Sequence, residues 1–366
     1  MYKIKCSLLN IIHSLFCLVM LSFSISSQAD QTDELIGKLM AERNIPGLQL
    51  AVVKNGKIIK TGNYGQSNLQ DKIAVQSNTL FPINSMTKAF TGVALIQLVE
   101  KGLLSIDDPI GKHLPNLPEK WKTLKIKQLM AHTSGLPKIL SGRLVDLIVL
   151  GDQDASWEKV QKLPFISEPN TEFFYNQTGY VVIGKIIDKY VEKGFPEFIT
   201  EKQFNVVGMD LTAKAGFDYL EYVVPNQARQ YLFAGENKYK NFYGEFPYIM
   251  RTAAGMSSTA SELAQFLIAL ESGKLVGNLN LLWTPVTLNN GKTGGFNDFE
   301  NGYAMGWQVI DRPKHRAISA SGGNAVTMIH YPEDHVSVVV LTNLIGALPI
   351  QFVDKIAEQY IEGFNL

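Results

Sequence analysis

The chain has 366 residues with 34 basic and 34 acidic side chains, a balance that gives no electrostatic footing for nucleic acid or an anionic membrane surface. An apolar fraction of 46% is ordinary for a globular core, and the length fits one large or two intimately joined domains. Both cysteines, Cys6 and Cys17, fall within the first 29 residues, so the rest of the chain has no disulfide and no thiol chemistry to offer.

Residues 1–29 read as a cleavable signal peptide. Lys3 and Lys5 make a positive start, Leu8 to Phe23 is apolar with few interruptions, and Ser27-Gln-Ala29 resembles a small-x-small cleavage site. The apolar run is short and polar sequence follows it, so a retained membrane anchor is the lesser reading. A periplasmic or secreted location is expected. Asp33 to Arg43 then has Leu35, Ile36, Leu39 and Met40 at helical spacing, closed by Asn44 and Pro46. Leu48 to Val53 and Ile58 to Gly62 flank Asn55-Gly56, a two-residue hairpin signal.

The stretch Phe81-Pro-Ile-Asn-Ser85-Met-Thr-Lys88 runs into a segment that is almost wholly apolar as far as Gly102, which suits a left-handed C-terminal cap. A helix apolar on every side is a buried one. Ser85 and Lys88, three apart, share one face of its first turn, so the lysine nitrogen can reach the hydroxyl. The helix N-terminus favours negative charge beside Ser85, and burial favours the neutral amine. A weak nucleophile next to a base points to nucleophilic catalysis. Spacing alone is weak, since Ser156-Trp-Glu-Lys159 repeats it, but Asp152, Asp154 and Glu158 make that copy an ordinary solvated helix start.

Farther on, Leu124 to Met130 and Gly179 to Lys193 read as helices within a mainly helical stretch, 138–215. Residues 228–250, rich in Tyr and Phe, read either as an irregular surface loop lining a cleft or as a satellite packing cluster. Thr259 to Ser272 is a helix and Asn289 to Asn301 a Gly/Asn loop. Strands are expected at Trp307 to Asp311, Ala325 to His330 and Val336 to Thr342, then an amphipathic helix from Leu348 to Ile361. Strands thus come from both ends of the chain, and an α+β fold is expected: an antiparallel sheet of N- and C-terminal strands flanked by terminal helices, with a mostly helical middle.

Seven segments in order resemble the class C serine β-lactamases and their relatives, the penicillin-binding-protein-like carboxypeptidases and esterases. They are Phe81 to Lys88, Leu104 to Pro109, Leu129 to Pro137, Phe174 to Tyr180, Ala254 to Ser258, Met305 to Trp307 and Ser321 to Gly323. The resemblance covers about Asp33 to Tyr360 and implies a β-lactamase/transpeptidase-like fold in one catalytic domain, 30–366. Its α/β part would be about 30–80 and 255–366, its helical part about 81–254. It makes Ser85 the nucleophile and Lys88 and Tyr175 its proton relay. Where the family's Tyr-x-Asn motif usually ends in Asn, this chain has Gln177, one methylene longer. A literal Lys292-Thr293-Gly294 precedes Gly306-Trp307, which is the wrong order for the family's third motif. Ala320-Ser321-Gly322 has the right order, at the cost of the cation that position normally carries. The N–H groups of Ser85 and Gly323 would form the oxyanion hole. Gln177, Ala320, Ser321 and Gly322 are the expected substrate contacts.

No cofactor is implied. His330-Tyr-Pro-Glu-Asp-His335 reads as a hairpin turn rather than a metal cluster, His132 as an ordered turn, and His315 as part of a preceding turn. The reading is a serine hydrolase working through an acyl-enzyme on a small-molecule or peptide substrate. Loss of the third-motif cation weakens the case for a substrate carboxylate, so an esterase or D-amino-acid peptidase-like enzyme is favoured over an efficient β-lactamase. A binding protein on the same scaffold that has lost turnover is the alternative. Nothing in the sequence speaks to oligomeric state.

Overall fold

The computed structural model describes residues 31–139, 153–217, 223–243 and 247–364; the leader expected at 1–29 lies outside them. Among the described helices none is long and apolar enough to cross a membrane.

The sheet at the centre has eight strands. In chain order the strands among the described residues are β1 (Gly47–Lys54), β2 (Lys57–Asn68), β3 (Ile73–Ala74), β4 (Phe81–Pro82), β5 (Gln230–Phe233), β6 (Tyr239–Phe242), β7 (Ser257–Ser258), β8 (Gly302–Tyr303), β9 (Gln308–Ile310), β10 (Ala317–Gly322), β11 (Val326–Tyr331) and β12 (Val336–Thr342). The large sheet has the order β3-β2-β1-β12-β11-β10-β9-β8, while β4 pairs with β7 and β5 with β6. N-terminal β1 lies antiparallel to C-terminal β12, Leu48 opposite Thr342 and Lys54 opposite Val336. This is the expected α+β arrangement. Asn55 and Gly56 both have positive φ, 50° and 70°, as the tight turn between β1 and β2 requires.

Alternation along β1 and β12 divides the core in two. Leu48, Leu50, Val52, Val336, Val338 and Val340 point to one side, where Ile36 and Leu39 of the 31–43 helix meet Phe352, Val353 and Ile356 near the C-terminus. Ala51, Val53, Val339 and Leu341 point to the other, where the buried Thr87–Glu100 helix packs with the Gln177–Tyr190 and Ala260–Glu271 helices. Both sheet faces are therefore covered, which is why β1 and β12 read as nearly continuous apolar runs.

Three expectations need correction. The 228–250 stretch is not an irregular loop at 230–242, where β5 and β6 form a hairpin; of the two readings, packing is the one Tyr231 and Tyr239 support, since both join the core under the terminal helices. Tyr231 is buried, its hydroxyl accepting from Leu69 N–H at 2.8 Å and donating to Gln70 Oε1 at 2.8 Å. The closing helix is broken into a 3₁₀ turn, Pro349–Gln351, and a short helix, Val353–Ala357. Proline has no N–H to continue a helix, and Leu348 before it is left-handed at φ 53°. Finally, β2 runs six residues past Gly62, because Gly65 pairs with Gly47 and Tyr64 with Leu48. Its outer face alternates half-buried with exposed residues, so its polar second half carries no apolar signal.

Candidate active site

Ser85 sits in a single 3₁₀ turn, Asn84–Met86, that feeds directly into the Thr87–Glu100 helix. The turn is pinned by Ile83 N–H donating to the Met256 carbonyl at 2.9 Å and by Met86 N–H donating back to Ile83 at 3.1 Å. Asn84 is left-handed, φ 49°, a conformation Asn tolerates better than most residues. Its effect is to turn Ser85 out of the apolar helix towards a cavity while Lys88 stays inside.

Lys88 is 1% exposed. Its Nζ lies 3.2 Å from Ser85 Oγ and 2.9 Å from the Ala253 carbonyl oxygen, with the ring centres of Tyr175 and Tyr180 at 5.0 and 5.1 Å. Burial pulls its pKa below the usual lysine range, and the charge and hydrogen bonding of Tyr175 oppose this only in part. A buried amine with a depressed pKa beside a serine hydroxyl can take the proton as the oxygen attacks.

Tyr175 arrives on the loop before the Gln177–Tyr190 helix. His132, held at φ 58°, accepts the Asn176 N–H on its Nδ1 at 3.2 Å, and its carbonyl accepts the Phe174 N–H at 2.8 Å. The two bonds grip the backbone on either side of Tyr175, whose ring packs against His132 at a tilt of 49°, centre to centre 4.3 Å. Burial, helped by the Lys88 charge, holds His132 well below the usual imidazole range, so it is neutral. His132 orders its turn, as the sequence suggests.

From the opposite wall comes β10. A Cβ on Gly322 would lie 2.0 Å from the Ile83 carbonyl oxygen and 2.9 Å from the Ser85 nitrogen, so only a residue without one lets this strand reach the nucleophile. Ser321 N–H donates to Gln308 Oε1 at 3.1 Å, and its hydroxyl pairs with Thr327 Oγ1 at 2.9 Å. Gly306 makes a second close approach: a Cβ there would sit 2.2 Å from the Lys88 carbonyl oxygen.

These elements enclose a cavity of about 890 Å³ whose wall includes Ser85, Tyr175, Ala320, Ser321, Gly322 and Gly323. Lys88 lies behind Ser85 rather than on the wall. Gln177 does not line the cavity: it begins the helix, with its Oε1 buried and unpaired, while Asn176 caps that helix by accepting the Thr178 N–H at 2.8 Å. Lys292 sits on the 289–301 loop, on a bridge between Thr287 and Thr293, and is likewise absent from the wall. Ser156 and Lys159 occupy a separate, largely solvated helix, Gln153–Val160.

The arginines that could replace a third-motif cation are engaged elsewhere. Arg251 pairs with Asp188, Arg312 with Asp354 at 2.8 Å, and Arg316 donates to the Trp283 carbonyl at 3.0 Å. The cation that does stand on the wall is Lys355, in the short C-terminal helix. Sequence reasoning passed it over because it lies outside every motif. It also passed over Glu300, a buried carboxyl on the wall whose pKa burial pushes above the usual range. An acid set among Phe296, Phe299 and Tyr303 was the available signal.

The histidines named as a doubtful metal cluster are apart in function. His330 is buried with Nδ1 2.9 Å from Ser337 Oγ, whereas His335 is exposed and meets Glu271 at 2.5 Å. Among the described residues no group of three or more His, Cys, Asp or Glu could hold a metal ion.

Residues 32–358 match the family model described as Beta-lactamase. The chain is similar to Penicillin-binding protein 4* of Bacillus subtilis (strain 168), 27% identical over 309 residues, which cover 79% of this chain and 66% of that protein. Among solved structures it is similar to EstCE1, described as a hydrolase with promiscuous acyltransferase activity (TM-score 0.75, 19% identity, 91% of this chain and 99% of that one). It is also similar to the D-amino acid amidase of Ochrobactrum anthropi SV3 (TM-score 0.70, 22% identity, 90% and 98%). Of other curated relatives it matches, the chain spans only about 38% of the length. With the match covering nearly all the described residues, the chain belongs to the beta-lactamase family of serine hydrolases.

Proposed function

We propose that the protein is a periplasmic or secreted serine hydrolase that cleaves an ester or amide through an acyl-enzyme on Ser85. The observation that carries the reading is the buried Lys88 amine 3.2 Å from Ser85 Oγ, with its pKa lowered by burial. Ser85 Oγ attacks the carbonyl carbon as its proton passes to Lys88. The N–H groups of Ser85 and Gly323 receive the oxyanion, and Tyr175 helps return the proton to the leaving alcohol or amine. Water then attacks the ester to Ser85 and releases the acid.

Ala320 supports an esterase or peptidase-like preference over efficient β-lactam hydrolysis, since the side chain at that position brings no charge to a substrate carboxylate. The test is labelling by a fluorophosphonate probe. Wild type should be labelled at Ser85 and Ser85→Ala should not. A folded wild type that resists the probe would instead favour a binding protein. Competition of the label by a penicillin, against competition by a short-chain ester, then ranks the substrate classes.

A further inference from the structure

Glu300 has no role in the chemistry just described, yet it lines the same cavity as Ser85. It is only 8% exposed, its Oε1 has no hydrogen-bond partner, and its Oε2 has a long 3.5 Å contact from Asn297 Nδ2. A buried carboxyl so poorly matched is costly, and folding alone gives no reason to keep it. The Arg312 guanidinium lies 5.9 Å from the neighbouring Phe299 ring but spends its hydrogen bonds on Asp354 and the His315 carbonyl.

Around Glu300 the wall is aromatic. Phe296, Phe299 and Tyr303 line the cavity with it. Phe296 stands 5.1 Å from Tyr175 and 6.1 Å from Tyr303, which ties this end of the cavity to the proton relay. Phe296 and Phe299 are also 43% and 37% exposed, large apolar rings partly open at the rim. An unpaired carboxylate supplies the hydrogen bonds and counter-charge an ammonium needs, and ring faces attract the same cation. A carboxylate ligand would meet like charge there.

We propose that Glu300, with Phe296, Phe299 and Tyr303, forms a subsite for an ammonium group on the substrate. The enzyme then selects esters or amides that carry a free amine. For turnover this rests on the acyl-enzyme reading; for binding it does not, and the test uses that difference. Ser85→Ala protein is titrated calorimetrically with phenylalanine amide in both configurations, and with 3-phenylpropanamide, the same amide lacking the amine. The amine-bearing compound of one configuration should bind about tenfold tighter or more, as for a charge-assisted hydrogen bond in a desolvated site. Adding Glu300→Gln should abolish that difference while leaving 3-phenylpropanamide binding unchanged, which also reports that the pocket is folded. Three results would overturn the proposal: no binding of phenylalanine amide, equal affinity for the two compounds, or a preference that survives Glu300→Gln. The first two need no change at Glu300, so a variant that fails to fold leaves the test intact. Failure of the acyl-enzyme reading shows separately, as unlabelled Ser85 in wild type.

Discussion

The Lys88 amine sits 2.9 Å from the Ala253 carbonyl and 3.2 Å from Ser85 Oγ, with the Tyr175 ring centre 5.0 Å away, so the three polar side chains form one unit. Lys88→Ala and Tyr175→Phe should each slow acylation by roughly 10²–10⁴, the range for loss of a positioned acid or base. Combined, they should cost well short of the product, because either change already breaks the relay. Pre-steady-state acylation rates of the two single variants and the double variant decide this, and fully multiplicative losses would refute a shared relay. Ala320 poses a separate question about charge. It is 3% exposed on β10, and the three arginines proposed as substitutes are tied to Asp188, Asp354 and the Trp283 carbonyl. Wild type should therefore hydrolyse a p-nitrophenyl ester faster than a chromogenic cephalosporin. Ala320→Lys should raise kcat/KM for the cephalosporin by about ten- to a hundredfold relative to the ester, as a charge-assisted hydrogen bond of roughly 1.5–3 kcal/mol implies. Lys355 on the cavity wall is the rival source of charge. If wild type already prefers the cephalosporin and Lys355→Ala reverses the order, the esterase preference is wrong.

At the scale of elements, what holds the site together is the meeting of a helix start and a strand end. Gly322 lets β10 run so close to Ile83 and Ser85 that an added Cβ would lie 2.0 Å from backbone, which cannot swing aside as a side chain can. Gly322→Ala should thus displace β10 from the nucleophile, lowering acylation at least about 10²-fold through the oxyanion hole and costing about 1–3 kcal/mol of stability. Acylation kinetics beside chemical denaturation would show both, and normal acylation would contradict the placement of the strand. This juxtaposition was legible in the sequence through motif order, which placed Ala320 to Gly323 ahead of Lys292. Periodicity alone could not have found it, since β10 is buried on nearly every residue and carries no alternation. The buried nucleophile helix, the β1–β2 turn and β12 were legible because apolar runs and turn residues act locally. The β5–β6 hairpin was not, for its one fully buried ring, Tyr231, is fixed by Leu69, Gln70 and Asn343, far away in the chain. Gln177 was misleading for a related reason. Its motif register was readable, but in the fold Asn176 is the helix cap and Gln177 lies off the cavity wall with its Oε1 buried.

Over the whole molecule, burying histidines on the helical side of the sheet gives stability a definite pH dependence. His330, beneath the Trp283 ring, has its pKa drawn down to about 4 by burial, with Glu271 opposing, and His132 is also held far below its ordinary value. A histidine freed by unfolding binds a proton near pH 6.5, whereas the folded one does not until lower pH. The unfolded state therefore binds more protons in this window, and stability must fall as pH drops from about 6.5 towards 4. Glu300 works the other way: its raised pKa means that ionisation favours unfolding as pH rises above about 4.5. The two histidines should outweigh one carboxyl. Carboxylates with depressed pKa values, such as Asp107 and Asp108, act only in still more acidic solution. Replacing His330 by Asn, which keeps a polar group for Ser337 Oγ but cannot titrate, should remove up to about 3 kcal/mol of the loss between pH 6.5 and 4. Denaturant midpoints of wild type and His330→Asn measured from pH 7.5 to 4.5 check the sign and the share. The variant should lose less stability across the interval. Parallel curves would mean that His330 is protonated in the fold, or that another group carries the acid limb.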